Sequence, residues 1–223
     1  MSGGDPEVIV IGSGPNGMVA ACVLARAGLK VLVLEAHPTR VGGALGSEQA
    51  TLPGFVHDVG AAFFPFPRKS PAFRALGLVE REGLVLHNAP IESCHPAPDG
   101  SVACITRDPE RSAQLFGDPR DGARFAELSR WFAKVEENLL GFLLGPLPTV
   151  WPLFKMLPFD VFRVARILLS SCAGLGQRLF RGEAARRVFP GLAMHVDIGP
   201  DDALGAAVGF MLGMTATTGG CSC

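Results

Sequence analysis

The chain has 223 residues, with 20 Lys and Arg against 21 Asp and Glu, a net charge of -1. There is no basic excess to condense on a phosphate backbone, which excludes general nucleic-acid binding. An apolar share of 48% with 18% charged residues excludes a disordered chain, and the length suffices for one or two buried cores.

Val8-Ile-Val-Ile11 is a continuous β-branched run and reads as a strand buried on both faces, as in a parallel sheet. Gly12-Ser-Gly-Pro-Asn-Gly17 follows at once, and Met18 to Ala27 reads as a helix closed by Gly28. A second buried strand, Val31-Leu-Val-Leu34, ends at Glu35. This is a βαβ unit with G-x-G-x-x-G at the strand-to-helix turn. Gly12 suits the tight turn, Gly14 the close approach of a pyrophosphate, and Gly17 the close packing of helix on sheet. The helix N-terminus offers free N–H groups and a positive dipole end to phosphate. Glu35 stands 18 residues beyond Gly17. A carboxylate there can accept ribose hydroxyls and repels a 2′-phosphate. The alternative, a glycine-rich turn that binds nothing, explains neither the spacing nor the acid.

Glu35-Ala-His-Pro-Thr-Arg-Val-Gly-Gly-Ala44 then places an arginine and a glycine pair just past the acid. Gly42 and Gly43 permit another close backbone approach, and Arg40 can add charge at a phosphate. The segment resembles the second fingerprint of the glutathione-reductase-type FAD fold, in its phytoene-desaturase and amine-oxidase branch. Thr51-Leu-Pro-Gly-Phe-Val-His-Asp-Val-Gly-Ala-Ala62 is similar to another stretch of that branch. Looser similarities to bacterial phytoene-dehydrogenase-like oxidoreductases follow at His95-Pro with Asp99-Gly100, and at Phe189-Pro-Gly-Leu-Ala-Met-His195. The resemblance implies FAD as cofactor, with Gly12, Ser13, Gly14, Pro15, Asn16, Gly17, Glu35, Ala36, Arg40, Gly42, Gly43 and Ala44 around it. It implies hydride transfer from a hydrophobic small molecule to the flavin, and assigns no catalytic residue. Relatives in the branch are about twice as long by the same resemblance, so the chain reads as an N-terminal portion. Two other readings stay open: a nucleotide-binding module without turnover, and an NAD-dependent Rossmann enzyme.

The expected fold is therefore α/β: a Rossmann-like FAD-binding domain over residues 1–90, then part of an α+β, largely helical substrate domain over 91–223. Ser70-Pro71 to Gly77 reads as a short helix. Ile91 to Thr106 reads as a hairpin turning at Asp99-Gly100, which would let Cys94 and Cys104 face each other. Asp108-Pro109 opens a helix ending near Gly117, and a longer one runs from about Asp121 to Leu140 with Phe125, Leu128, Phe132 and Val135 inward. Between residues 141 and 180, Leu147, Trp151, Leu153, Phe154, Met156, Leu157, Phe159 and Phe162 are read as helix core. The alternatives are a lipophilic tunnel wall or a membrane-facing surface, with Lys155, Arg163 and Arg166 on anionic headgroups. No terminal element is expected after Thr217.

The six cysteines read as free thiols in a reducing compartment, Cys221-Ser-Cys223 included. The five histidines show no metal-ligand spacing, and His57-Asp58 is no dyad, because strand neighbours face opposite ways. The strand at Glu7 begins too early for a removable leader. The longest uncharged run, Asn138 to Phe154, is 17 residues and is broken by Pro146, Pro148 and Pro152, short of the roughly 20 a membrane span needs. A cytoplasmic protein is expected, with peripheral membrane contact as an option.

Overall fold

The computed structural model describes residues 5–61, 64–145 and 149–220. Ala62, the run Pro146-Leu147-Pro148 and the closing Cys221-Ser-Cys223 lie outside the described residues. The chain divides into two compact units. One holds the chain up to Phe64 together with Ala72–Val85, the other Pro65–Pro71 and the chain from Leu86 onward.

In the first unit β1 (Val8–Ile11) pairs in parallel with β2 (Val31–Leu34), in register from Val8 opposite Val31 to Ile11 opposite Leu34. The crossover is α1 (Pro15–Arg26), with Pro15 at its first turn and Gly14 extended at the cap. Gly28, at φ 91°, lets the chain reverse into β2. A short antiparallel pair follows, β3 (Ser47–Glu48) on β4 (His57–Asp58). Next comes α2 (Pro71–Leu76), where the Arg26 guanidinium donates to the carbonyls of Ala75 and Leu76 at 3.1 and 2.8 Å and satisfies a helix end. On His57 and Asp58 the side chains part company: Asp58 accepts from Ser47 Oγ at 2.7 Å, and His57 meets Thr51 at 2.8 Å.

The expectation that β1 and β2 are buried on both faces is corrected. Ile9 and Ile11 stand 54% and 86% exposed, and Leu32 and Leu34 are exposed too. The two-stranded sheet carries α1 on one face, and no described element of this unit covers the other. The apolar run reports what the strand can bury, while burial itself needs a second layer.

The second unit opens with an antiparallel hairpin, β5 (Ser93–Pro96) on β6 (Val102–Ile105). Gly100, at φ 82°, makes the turn possible. Two helices then start on Asp-Pro signals: α3 (Pro109–Gln114) and α4 (Pro119–Leu143). The carboxylates of Asp108 and Asp118 accept from Glu110 N and Arg120 N at 2.9 and 2.7 Å. The remaining helices are α5 (Trp151–Phe154), α6 (Pro158–Leu168), α7 (Cys172–Leu179), α8 (Glu183–Ala193) and α9 (Gly205–Thr218). The sequence reading names no helix over residues 205–218, where α9 lies. Helix α9 is apolar all round and buried from Gly209 to Thr217, so it shows no stripe that periodicity could detect.

Buried aromatic rings run through this unit. Phe116 meets both Phe125 and Phe180, Phe180 meets Phe189, and Phe210 of α9 contacts both Phe189 and Phe132 at 5.8 Å. Two buried carboxylates are tied across long separations. Asp121 accepts from the N–H groups of Arg181 and Gly182 at the start of α8 (2.9 and 2.7 Å), and Glu136 pairs with Lys69 Nζ at 2.8 Å. Core packing of the apolar stretch near residue 155 is corrected as well. Met156, Val164 and Ile167 turn inward, whereas Trp151, Phe154, Leu157, Phe159 and Phe162 stay exposed, Phe154 at 75%. Within α6 the inward positions are already filled by aliphatic side chains, which leaves the aromatics on the opposite face. Among the described residues no helix is long and apolar enough to cross a membrane.

Candidate nucleotide site

The first unit brings three chain segments together at the carboxyl end of its sheet. Off β1, Gly12 turns at φ 94°, and its N–H donates to Leu34 C=O at 2.7 Å. Gly17 lies so close to that turn that a Cβ there would sit 2.3 Å from Gly12 O and 3.4 Å from Val10 Cγ1. Helix α1 can therefore seat on β1 only with glycine at 17. A Cβ on Gly14 would meet nothing within 4 Å, so the space above it is open. The first-turn N–H groups of Asn16 and Gly17 have no acceptor inside the helix, as at any helix start, and Pro15 brings none.

Ser13, 2% exposed, is the hinge pin of the arrangement. Its N–H and hydroxyl donate to Glu35 Oε2 at 2.8 and 2.5 Å, and its Oγ accepts from Gly42 N at 3.1 Å. Glu35 Oε1 accepts from His37 N at 2.8 Å. The Ser13 hydroxyl first, then the His37 and Ser13 N–H groups, lower the Glu35 carboxyl to about 2. Glu35 is thus anionic at neutral pH, with three of about four acceptor positions engaged. Sequence reasoning placed Glu35 and missed its bond to Ser13. The only sequence signal was a small hydroxyl residue between the first two glycines.

The second segment doubles back onto the first. Gly42 and Gly43 adopt φ 102° and 56°, and a Cβ on Gly43 would sit 3.0 Å from Gly14 Cα. Ala44 lies in the same 3-10 turn (Gly43–Leu45), and its carbonyl accepts from Ala61 N at 2.7 Å. Arg40 folds over Gly46, where a Cβ would meet Arg40 Cδ at 2.7 Å. Its Nη1 is buried with no hydrogen-bond partner among the described residues, and Glu48 lies 3.6 Å away. Ala36, next to Glu35 in the chain, adds a smaller backbone contribution to the lowering of the Glu35 carboxyl. Among the described residues Arg40 Nη1 thus makes an ion pair but no hydrogen bond, and a guanidinium with donors to spare suits an anionic group with several oxygens.

Residues 10–77 match the family described as NAD(P)-binding Rossmann-like domain. A limonene dehydrogenase component from Castellaniella defragrans is 34% identical over 137 residues, covering 60% of this chain and 24% of the relative. The 4,4′-diapolycopene oxygenase of a Methylomonas species is 30% identical over 175 residues, covering 73% of this chain and 34% of the relative. Wild-type putrescine oxidase bound to putrescine superposes with a TM-score of 0.51 at 21% identity, over 92% of this chain and 41% of the oxidase, a likeness of fold. The chain spans between a quarter and under half of the length of these proteins. Residues 10–77 have a Rossmann-like fold, and the homologues are FAD-dependent oxidoreductases, phytoene-desaturase-like ones among them.

Proposed function

We propose that the chain binds the adenosine and pyrophosphate half of FAD and supplies this part of a phytoene-dehydrogenase-like oxidoreductase. The observation that carries the reading is the open space over Gly14, with the Gly43 backbone packed against it, next to Ser13, which holds the Glu35 carboxylate. Gly12, Ser13, Gly14, Pro15, Asn16 and Gly17 form the loop whose N–H groups meet the pyrophosphate. Glu35, with Ala36 next to it, lies at the ribose. Arg40 balances phosphate charge, while Gly42, Gly43 and Ala44 keep the second backbone segment close. Once bound, the flavin supplies hydride acceptance from a hydrophobic substrate; this chain's residues bind and orient it. Ser13 holds Glu35 ionised and Gly42 in place, so the site is preorganised before the nucleotide arrives.

Purification followed by a visible spectrum and chromatography of the released nucleotide tests the reading. Released FAD, or uptake of added FAD with quenching of its fluorescence, is the expected result. Binding of NAD in preference to FAD overturns it.

We further propose peripheral contact with anionic lipid through the α5–α6 face. Trp151, Phe154, Phe159 and Phe162 are exposed there. Beside them a cavity of about 550 Å³ is lined by Arg124, Arg163, Arg166 and Arg178, with Glu127 as the acid among its lining residues. Arg124 pairs with that acid at 2.7 Å, and Arg163 lies 4.1 Å over the Trp131 ring. Aromatic side chains flanked by arginines suit a headgroup boundary. Flotation with phosphatidylglycerol vesicles is expected to carry the chain, and Phe154→Ser with Phe159→Ser to abolish this. Equal recovery with neutral vesicles refutes the role of the arginines.

A further inference from the structure

We propose that Cys94 and Cys104 form a reversible disulfide across the β5–β6 hairpin, closed by exchange with a small-molecule disulfide. The two residues are direct cross-strand partners, and their sulfurs lie 3.2 Å apart. Ala97 N–H donates to Ser101 C=O at 2.9 Å, which makes that pair, and His95 with Ala103 two residues further in, the hydrogen-bonded positions. Cys94 and Cys104 then occupy a non-hydrogen-bonded position, where facing Cα atoms approach to about 4.5 Å. That separation falls inside the range of about 4.4–6.8 Å that a disulfide spans. In agreement, Cys104 N–H points out of the hairpin, to Leu115 C=O at 3.3 Å. The bond can therefore close by side-chain rotation, with no change in strand pairing.

The two thiols differ in access. Cys94 is exposed, while Cys104 is buried. Burial first, then its neighbour Cys94, push the Cys104 thiol up to about 11. Attack thus begins at Cys94. Its thiolate displaces one thiolate from the incoming disulfide and leaves a mixed disulfide on Cys94. Cys104 then gives up its proton, attacks the Cys94 sulfur and expels the second small thiolate, which takes that proton. The chain loses two hydrogens and two electrons, and one small disulfide becomes two thiols. In a reducing compartment such a bond is transient and reports the thiol balance. Its structural effect is confined to the second unit. The bond would pin β6, whose Ala103 and Ile105 are fully buried, and would hold His95 where its ring lies against Gly191 of α8.

Both cysteines fall on one tryptic peptide, Glu82 to Arg107, because no Lys or Arg intervenes. The full chain is equilibrated in glutathione buffers of stepped oxidised-to-reduced ratio, quenched in acid, alkylated and digested. The expected product is this peptide lacking two hydrogens and refusing alkylation, restored by dithiothreitol. Folded chain should close at a ratio about tenfold lower than chain in urea, because the fold raises the effective concentration of one thiol at the other. Cys104→Ser should accumulate glutathione on Cys94, and Cys94→Ser should leave Cys104 unmodified. Glutathione on both cysteines of the wild-type chain, a bond to Cys22 or Cys172 instead, or equal closure in the folded and unfolded chain overturns the proposal.

Discussion

Gly14 and Gly17 lie three residues apart in one turn, and the structure makes opposite demands on them. Gly14 caps α1 at φ -65° and ψ 168°, a conformation open to any residue, and a Cβ there meets nothing within 4 Å. Gly14→Ala loses a little as a helix cap and gains a little by restricting the unfolded chain. The net change is about 0.5 kcal/mol in either direction. The new methyl instead occupies space the pyrophosphate needs, so FAD affinity should fall by at least about tenfold, or ~1.4 kcal/mol. Gly17→Ala behaves differently. Its Cβ would sit 2.3 Å from Gly12 O, and relief to an ordinary carbon–oxygen contact of about 3.3 Å moves α1 off β1 by about 1 Å. Such overpacking costs about 1–3 kcal/mol, at about 2–4 °C of Tm per kcal/mol for a chain of this size. Thermal unfolding without nucleotide and fluorescence titration with FAD separate the two. The expected pattern is Gly14→Ala stable but weak in binding, and Gly17→Ala impaired in both. A Gly17→Ala chain with wild-type Tm refutes the packing argument, and a Gly14→Ala chain with wild-type affinity refutes the site.

Arg40→Met removes a charge whose ion pair with Glu48 is 3.6 Å long and partly exposed, so stability should change by less than about 0.5 kcal/mol. FAD affinity should drop by about 1.5–3 kcal/mol for the lost charge-assisted bond, and an unchanged titration refutes that. Burial lowers His95 to about 4 from about 6.5 in the unfolded chain. The unfolded state then binds the proton first as pH falls. Stability is undiminished above about pH 6.5 and declines toward pH 4 by at most about 3 kcal/mol. Urea unfolding across this window should show the decline in the wild type and a flatter curve in His95→Asn; parallel curves refute it. Phe210→Ala removes a ring packed on Phe132 and Phe189 at 5.8 Å and should cost about 3–5 kcal/mol in urea unfolding. A loss below about 1 kcal/mol would mean that α9 is not part of the cooperative core.

Local chemistry is legible in the amino-acid sequence alone. The βαβ unit, the helices opening at Asp108-Pro109 and Ser70-Pro71, the hairpin turn at Asp99-Gly100 and the inward stripe of α4 all rest on residues within a few positions of one another. Such signals act through backbone preference and short-range periodicity, so the chain carries them alone. Arg40 and the Gly42-Gly43 pair could likewise be singled out, since spacing from Glu35 is a sequence property. Tertiary structure decided what each apolar residue meets. Ile11 and Phe159 are as apolar as any core residue and stand in the open, because burial needs a second surface that the local sequence does not specify. The partners of Asp121 and Glu136 lie 60 and 67 residues away, and α9 hides because it is covered on all sides. At the site, only the fold showed Ser13 bridging Glu35 to Gly42, and Arg40 Nη1 buried with no hydrogen bond among the described residues. Both depend on three separated segments meeting in space, which a linear pattern of residue types does not encode.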